Sequence, residues 1–600
     1  MPINFMKLRP LIVFIALSVL AVVIYSSAFH GPFIFDDGMY ISKNPLIKNL
    51  GNFWPPSGPR YLGYLSFALN FRINGLDTFG FHLVNVMIHI VNGLLVYALV
   101  TATFRTPWME RAQVEDKERV AFVLALIVSV LFIVHPVQTQ AVTYMAQRFA
   151  SLATLFYLLS LVSYIRWRLS SGPKAFKVFL YIVALASAIA AQNTKEISFT
   201  LPVMIVLYEG VFFGWDKKRI PALIPLILTL IIIPLAILGP EAGLGGGGSD
   251  IGERTRELQI RDLTALSRHD YLVTQFRVIV TYLRLIVFPV NQTLDYDYPL
   301  FTSIFSPEPL LSFLFLLSIV ILSVWIFVKS RRVNCALGLL FSAGVFWFFI
   351  TLSIESSIIP INDLIFEHRL YLAMPGAALA FGSALLYGAR FVPGNRSVAS
   401  AAALALMIAA AVSVPLSVAT YMRNTVWADE VVFWEDAVVK SPMKARVHNN
   451  LGSVYYRKGD LARAMDEFKR AIELKPNFAD AHYNLGVAYK DIGRMDDAIL
   501  EFEAAVTFQP AKANAHNNLG LAYLSKGRIE DAVGEFSATI RLEPGNYRAH
   551  NLLGLAYKYL GRYDEAVAEF ETALSINPGF EDAYENLRYI ELKRGGGPPS

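Results

Sequence analysis

The chain has 600 residues, 55% of them hydrophobic and 17% charged. Its mean hydropathy of +0.45 is too high for an ordinary soluble domain, and its charges are too many for membrane spans throughout. Residues 421–600 carry a net charge of about −4 and the part before them about +9, so basic loops beside membrane spans account for the pI of 8.9 and nucleic acid is not an implied partner.

The first apolar run, residues 11–28, is long enough to cross a bilayer. Lys7 and Arg9 before it favour a cytoplasmic N-terminus. It lacks a convincing cleavage site and reads as a retained span. Residues 33–45 then emerge on the outer side with two adjacent carboxylates, Asp36 and Asp37. A solvated loop is one reading of that pair. A catalytic base at the mouth of a membrane cavity is the other.

Basic residues thread the later spans. Residues 79–103 return inward, to Arg105, Arg111, Lys117 and Arg119. Residues 120–134 go out and 143–165 come back, to Arg166, Arg168, Lys174 and Lys177. Residues 179–191 go out, 197–213 return to Lys217, Lys218 and Arg219, and 223–238 go out. A glycine-rich run at 245–250 opens a long outer segment and reads as flexible. Residues 271–290 are apolar but hold Arg277 and Arg284. Were they a span, Lys329, Arg331 and Arg332 would fall outside, so they read as a partly embedded or re-entrant helix. Residues 310–328 go in, 335–352 out, 364–386 in, to Arg390 and Arg396, and 397–419 out. This gives about eleven spans in a membrane domain over 1–420, with the C-terminus outside. The single cysteine, Cys335, excludes an intramolecular disulfide and a cysteine-rich metal site.

From Ala445 a 34-residue repeat takes over, with Leu-Gly at 451–452, 485–486, 519–520 and 553–554. Alanines, phenylalanines and closing prolines recur in the same register, as Ala464, Phe468 and Pro476 do in the first unit. The pattern predicts four tetratricopeptide repeats over 445–578, a linker with a degenerate half-repeat over 421–444, and a capping helix and flexible tail over 579–600. The expected fold is all-α: a polytopic membrane bundle followed by a repeat solenoid.

Several polar groups stand inside apolar stretches. His82, Asn85, His89 and Asn92 share one face of a helix. Interhelical hydrogen bonding is the plain reading of such a stripe. His82 and His89 stand two turns apart, roughly 10 Å, too far to share a metal ion. His135, Gln138, Gln147 and Arg148 make an unusually polar turn between two spans. That turn is either an ordinary hairpin or the wall of a polar cavity. Lys195 and Glu196 open another span on the outer side, and Glu367, His368 and Arg369 open a further one. An arginine there either snorkels to the interface or forms a fork for a lipid phosphate. Arg284 could serve the same end.

Phe35-Asp36-Asp37, His82-Leu-Val-Asn85 with His89, His135-Pro136 through Arg148, Lys195-Glu196 and Glu367 through Leu372 occur in this order before the repeat array. Together they resemble the transmembrane-and-tetratricopeptide-repeat proteins, which are similar to protein O-mannosyltransferases of the GT-C superfamily. The resemblance covers nearly the whole chain. It implies inverting transfer of a mannose-like sugar from a polyprenyl-phosphate donor in the bilayer to hydroxyls of a polypeptide acceptor. Asp36 or Asp37 would be the base. Arg369, with Arg148 or Arg284, would bind the donor phosphate. His82, Asn85, His89, His135, Gln138, Lys195, Glu196, Glu367 and His368 would line the cavity. The sequence departs from relatives at Glu367-His368-Arg369, where an arginine often follows the glutamate directly. No residue set specifies a resident cofactor or a divalent metal.

The sixth positions of successive repeats are Asn450, Asn484, Asn518 and Leu552, with Asn586 resuming the series in the capping helix. An amide offers a donor and an acceptor, as a peptide backbone does. The spacing resembles the asparagine ladder of the O-linked N-acetylglucosamine transferase repeats and implies an acceptor groove. Two other functions fit the architecture less fully. One is a non-catalytic membrane-anchored scaffold presenting the repeats to partners. The other is a transporter, although the spans lack the internal repeat usual in transporters.

Overall fold

A computed structural model describes residues 5–54, 56, 58–238, 266–358, 360–361, 363–392 and 397–593. The glycine-rich run at 245–250, Arg396 and the tail at 594–600 lie outside the described residues. Among the described residues the chain is helical and without strands. It divides into two compact units, Met1–Phe433 and Trp434–Ser600.

Among the described residues of the first unit eight helices are long and apolar enough to cross a membrane: Arg9–Ala28, Thr78–Thr103, Met145–Leu169, Lys174–Gln192, Glu196–Phe213, Lys217–Ala236, Pro307–Val333 and Val398–Trp427. Lys117–Val134 with Pro136–Val142 makes a ninth if its 53° bend is counted as one broken span. Pro136 supplies no backbone N–H, and the bend falls there. The shorter apolar helices Ala336–Leu352 and Met374–Ala389 occupy the two remaining segments expected from the sequence. The segment expected at 364–386 differs at its start. Glu367–Leu370 is a turn of 3-10 helix, and the α-helix begins only at Met374. Arg268–Val287 forms a helix that is not among those apolar enough to cross. The last apolar helix runs on to Trp427, beyond the expected boundary at 420.

Helix Lys117–Val134 lies at the centre. It packs against Thr78–Thr103, Met374–Ala389, Val398–Trp427 and Phe5–Tyr25, burying Leu124, Ile127, Val128 and Phe132. Pro307–Val333 presents the opposite case, with Leu311 66% and Ile321 60% exposed. Such a continuous apolar face is at home only against lipid. Gly344 and Gly376 let Ala336–Leu352 and Met374–Ala389 touch backbone to backbone. A Cβ on Gly344 would lie 2.5 Å from the Gly376 carbonyl oxygen.

The second unit holds four helix pairs: Ala445–Arg457 with Leu461–Leu474, Ala479–Asp491 with Met495–Phe508, Ala513–Ser525 with Ile529–Leu542, and Tyr547–Tyr559 with Tyr563–Ile576. Glu581–Lys593 follows as a cap. Each Leu-Gly glycine faces the phenylalanine of its own pair. A Cβ on Gly452, Gly486, Gly520 or Gly554 would stand 2.7 Å from the rings of Phe468, Phe502, Phe536 or Phe570. The turn glycines Gly459, Gly493, Gly527 and Gly561 hold φ of +75° to +82°, where only glycine is unstrained. Gly486→Ala is therefore expected to destabilise the array by about 1–3 kcal/mol, read as a lower thermal midpoint of the repeat unit.

Histidines missed in the sequence reading also recur every 34 residues. His448, His482, His516 and His550 each set Nδ1 2.6 Å from the Oε2 of Glu467, Glu501, Glu535 or Glu569. Their Nε2 atoms face the carbonyls of Pro442, Pro476, Pro510 and Pro544. These clips tie the start of each pair to its second helix and to the preceding turn.

Candidate functional site

The two carboxylates of the first loop have different surroundings. Asp37 is buried, and both its oxygens accept from backbone amides: Oδ2 from Ile34 at 3.0 Å and Oδ1 from Ala146 at 2.6 Å. It thus fastens the loop to the turn before Arg148. Asp36 is only partly buried, and its own amide donates to the Tyr144 hydroxyl at 3.0 Å. Phe35, just before the pair, holds a left-handed φ of 53°. That conformation is strained for an aromatic residue, and such strain persists only where the surroundings fix it.

Burial pushes the Asp37 carboxyl up to about 8, against the pull of the two amides, with the neighbouring Asp36 charge adding to the rise and Arg148 opposing it. Its folded value is raised, so its contribution to stability is present at low pH and lost as pH rises from about 4 to about 8. Wild-type protein should therefore show a falling thermal midpoint across that window. Asp37→Asn should flatten the slope.

Charged residues distant in sequence gather on the same side of the bundle. Arg60 forms a two-point pair with Glu196, Nε to Oε1 at 3.0 Å and Nη2 to Oε2 at 3.1 Å. Lys195 Nζ lies 2.9 Å from Glu355 Oε1. Lys195 and Glu196 thus pair with separate partners rather than with each other. Burial pulls the Lys195 ammonium down, and Glu355 holds against it. Tyr40 links this cluster to the first loop. Its hydroxyl is raised by burial, pulled down by Arg60, and raised again by Asp36 and Glu196.

Arg369 is buried beside the same cluster. Its guanidinium donates to the Tyr271 hydroxyl at 3.3 Å and to the carbonyls of Leu364 at 3.1 Å and Asp363 at 2.8 Å. Tyr271 in turn donates to the Glu355 carbonyl. Every acceptor of Arg369 is a neutral oxygen, and no carboxylate stands within ion-pair distance of it among the described residues. His368 donates its backbone amide to Gln140 Oε1 at 2.7 Å. Glu367 accepts from Gln292 Nε2 and the Tyr296 hydroxyl, both at 2.6 Å.

The polar stripe of helix Thr78–Thr103 is buried and held by neighbouring segments, with Asn92 Oδ1 buried and lacking a partner among the described residues. His82 Nε2 faces the Gly31 carbonyl at 3.3 Å. Asn85 donates to the Val142 carbonyl, and Asn92 to Ser151 and Tyr371. His89 Nε2 faces the Ile133 carbonyl, which assigns it the proton and leaves Nδ1 to accept from the Tyr371 hydroxyl at 2.7 Å. These side chains bind segments together rather than line open space. His135 is likewise held, by the Ile286 carbonyl at 2.9 Å and the Val137 amide.

Arg148 departs from the expectation of a free phosphate ligand. It is fully buried. It donates to Asn85 Oδ1 at 2.6 Å, Asn70 Oδ1 at 2.8 Å, and the carbonyls of Phe81 and Ser66. The Phe67 and Phe81 rings cover it. Its chemistry is spent on the protein. Arg284 is exposed and donates to the Val290 carbonyl at 3.3 Å, away from the Arg369 contacts. Gln138 is fully buried, and neither side-chain atom has a partner among the described residues. Arg60, Tyr40, Tyr144, Tyr271 and Glu355 were missed in the sequence. None belongs to a local pattern, and only a glutamate after the apolar run ending at 352 hinted at one of them.

In the repeats, successive first helices pack side by side, the arrangement that lines the concave face of a solenoid. Asn484 donates to Asn449 Oδ1 at 2.9 Å, Asn518 to the Tyr483 hydroxyl at 3.1 Å, and Asn586 to Asn551 Oδ1 at 3.4 Å. Lys490 and Lys558 reach the oxygens of Asn518 and Asn586. The Asn450 amide nitrogen is buried without a partner among the described residues.

An apolar helix bundle with charged groups gathered at one end, joined to a repeat array, defines a polytopic membrane protein with an appended tetratricopeptide solenoid. A TPR repeat model matches residues 452–493 and 488–527, and a tetratricopeptide repeat model matches 517–579. The chain is similar to a protein O-mannosyl-transferase of Caenorhabditis elegans, 25% identical over 490 residues, 78% of this chain and 63% of the relative. It is similar to protein O-mannosyl-transferase Tmtc2 of Drosophila melanogaster, 28% identical over 41% of this chain and 27% of the relative. It is also similar to protein O-mannosyl-transferase TMTC1 of Mus musculus, 30% identical over 31% of this chain and 20% of the relative. The chain thus spans less than two thirds of the length of these relatives. Among solved structures, the crystal structure of MamA is 30% identical over 25% of this chain and 86% of MamA, with a TM-score of 0.24.

Proposed function

We propose that the protein transfers a mannose-like sugar, with inversion, from a polyprenyl-phosphate donor to hydroxyls of polypeptide acceptors. The observation that carries this reading is the charged cluster that joins the first loop to the far end of the membrane unit: Asp36, Arg60 and Glu196 around Tyr40, Lys195 on Glu355, and Arg369 linked to Glu355 through Tyr271. Relatives named protein O-mannosyl-transferase support the chemistry.

In this mechanism Asp36 takes the proton of the acceptor hydroxyl as its oxygen bonds to the sugar's anomeric carbon. The bond from that carbon to the phosphate oxygen breaks, and polyprenyl phosphate leaves with the electron pair. Arg369 stabilises its charge. Asp37 positions the loop. It is held there by the amides of Ile34 and Ala146. Arg60–Glu196 and Lys195–Glu355 brace the walls around Tyr40. The basic loops favour a cytoplasmic N-terminus, and this reading puts Asp36 and the repeats on the outer side.

Incubation of the purified full chain with labelled polyprenyl-phosphate mannose and a serine- and threonine-rich protein acceptor tests the reading. Labelled acceptor is expected, and its absence with every polyprenyl-phosphate sugar tried would overturn it. Arg369→Lys should weaken donor binding about tenfold or more, because an ammonium cannot reproduce a planar fork. Unchanged donor affinity in that variant would remove the arginine from this role. The repeat groove is assigned to the acceptor. Replacing Asn450, Asn484 and Asn518 together by alanine should reduce transfer to protein acceptors and leave transfer to short peptides nearly intact. An equal loss for both would place the acceptor elsewhere.

A further inference from the structure

We infer that the first loop and helix Tyr61–Asn74 form a separate site for the phosphate headgroup of an anionic bilayer phospholipid. A cavity of about 360 Å³ opens between them, lined by Ile47, Lys48, Asn49, Leu50, Ala68, Phe71 and Arg72. Its walls are preformed. Asn44 and Asn49 accept the amides of Leu46 and Gly51, Asn52 donates to the Leu46 carbonyl, and Tyr61 donates to the Phe53 carbonyl.

Lys48 and Arg72 bring two positive charges to the cavity. Neither side chain has a hydrogen bond or ion pair among the described residues. Around them large apolar side chains stand open: Trp54 81%, Ile73 80%, Leu69 48% and Leu76 42% exposed. In a membrane protein such side chains belong at the bilayer interface, with cations at headgroup level. The combination selects a lipid over a soluble anion. It also selects a plain phosphate over a sugar. Asn49 is the sole neutral polar side chain in the lining, and its oxygen is occupied by Gly51, so sugar hydroxyls would find little to bond.

The test uses the full chain in nanodiscs of pure phosphatidylcholine and of an equimolar mixture with phosphatidylglycerol. A photoactivatable phosphatidylglycerol reports the place of contact, and lipid retained after detergent exchange reports affinity. Wild-type protein should cross-link within residues 43–54 and 61–74 and prefer phosphatidylglycerol by about thirtyfold, two cations each contributing the usual surface attraction. Lys48→Gln with Arg72→Gln should remove both the cross-link and the preference. Both side chains are exposed and unpartnered, so the variant should fold, and an unchanged thermal midpoint in phosphatidylcholine confirms it. Cross-linking elsewhere, or an equal preference in the double variant, overturns the site. Competition by inorganic phosphate alone would make it a soluble-anion site. Stronger competition by polyprenyl-phosphate mannose than by phosphatidylglycerol would make it a donor site. Either result also overturns the inference.

Discussion

Asp36→Asn is expected to lower sugar transfer by a factor of about 10²–10⁴, the range a positioned general base supplies, while the thermal midpoint stays unchanged. The side chain is partly exposed, and an amide of the same shape fits where the carboxylate stood. Asp37→Asn should behave differently. Its two oxygens both accept backbone amides, from Ile34 and Ala146. An amide side chain offers one oxygen, so its NH₂ group must oppose one of these donors. The loss of one such buried bond should destabilise the loop by about 1–3 kcal/mol, and activity should fall with it. The two are separated by measuring single-turnover transfer beside the melting curve. Activity lost without destabilisation in Asp37→Asn, with Asp36→Asn active, would exchange the two roles.

Arg148→Met is expected to destabilise the membrane unit by several kcal/mol, since each buried acceptor left without its donor costs about 1–3 kcal/mol. The change leaves Asn70, Asn85 and the carbonyls of Phe81 and Ser66 without their donor in a sealed interior. Methionine fills the stem but satisfies none of them. Lysine should rescue little, since one ammonium cannot meet acceptors set around a planar fork. Detergent-extracted protein should melt earlier and aggregate. If Arg148→Met melted normally and lost only donor affinity, the guanidinium would belong to the donor site after all.

Much of the architecture was legible because periodicity carries it. The repeats announce themselves through Gly452, Gly486, Gly520 and Gly554, each required by a phenylalanine ring in its own pair. The apolar runs announce themselves through length and the basic residues between them. The start of the helix after Arg369 was not legible, since an apolar composition does not distinguish the turn at Glu367–Leu370 from the helix at Met374. Of the candidate site, the acidic pair was legible from its place after the first span, but not the division of labour within it. That division rests on the Ala146 amide, 109 residues away. Arg60 and Glu196, 136 positions apart, give no local sign of each other. His82, Asn85, His89 and Asn92 were legible as a stripe, yet sequence alone cannot say whether a stripe faces a cavity or a neighbouring helix.

The latch between Asp37 and Ala146 also bears on how the protein is made. The loop carrying Asp36 leaves the ribosome early, but its fastening point is translated more than a hundred residues later. Arg148, which clamps Asn70, Asn85 and the Phe81 carbonyl, arrives in the same stretch. Glu355 and Arg369 come later still, from the far end of the membrane unit. During insertion the loop waits unfastened until the segment through Arg148 is in place, and the charged cluster closes only near the end of synthesis. Nascent chains arrested before residue 146 should therefore expose the loop to protease, and those arrested far enough beyond Arg148 for that segment to have left the ribosome should protect it.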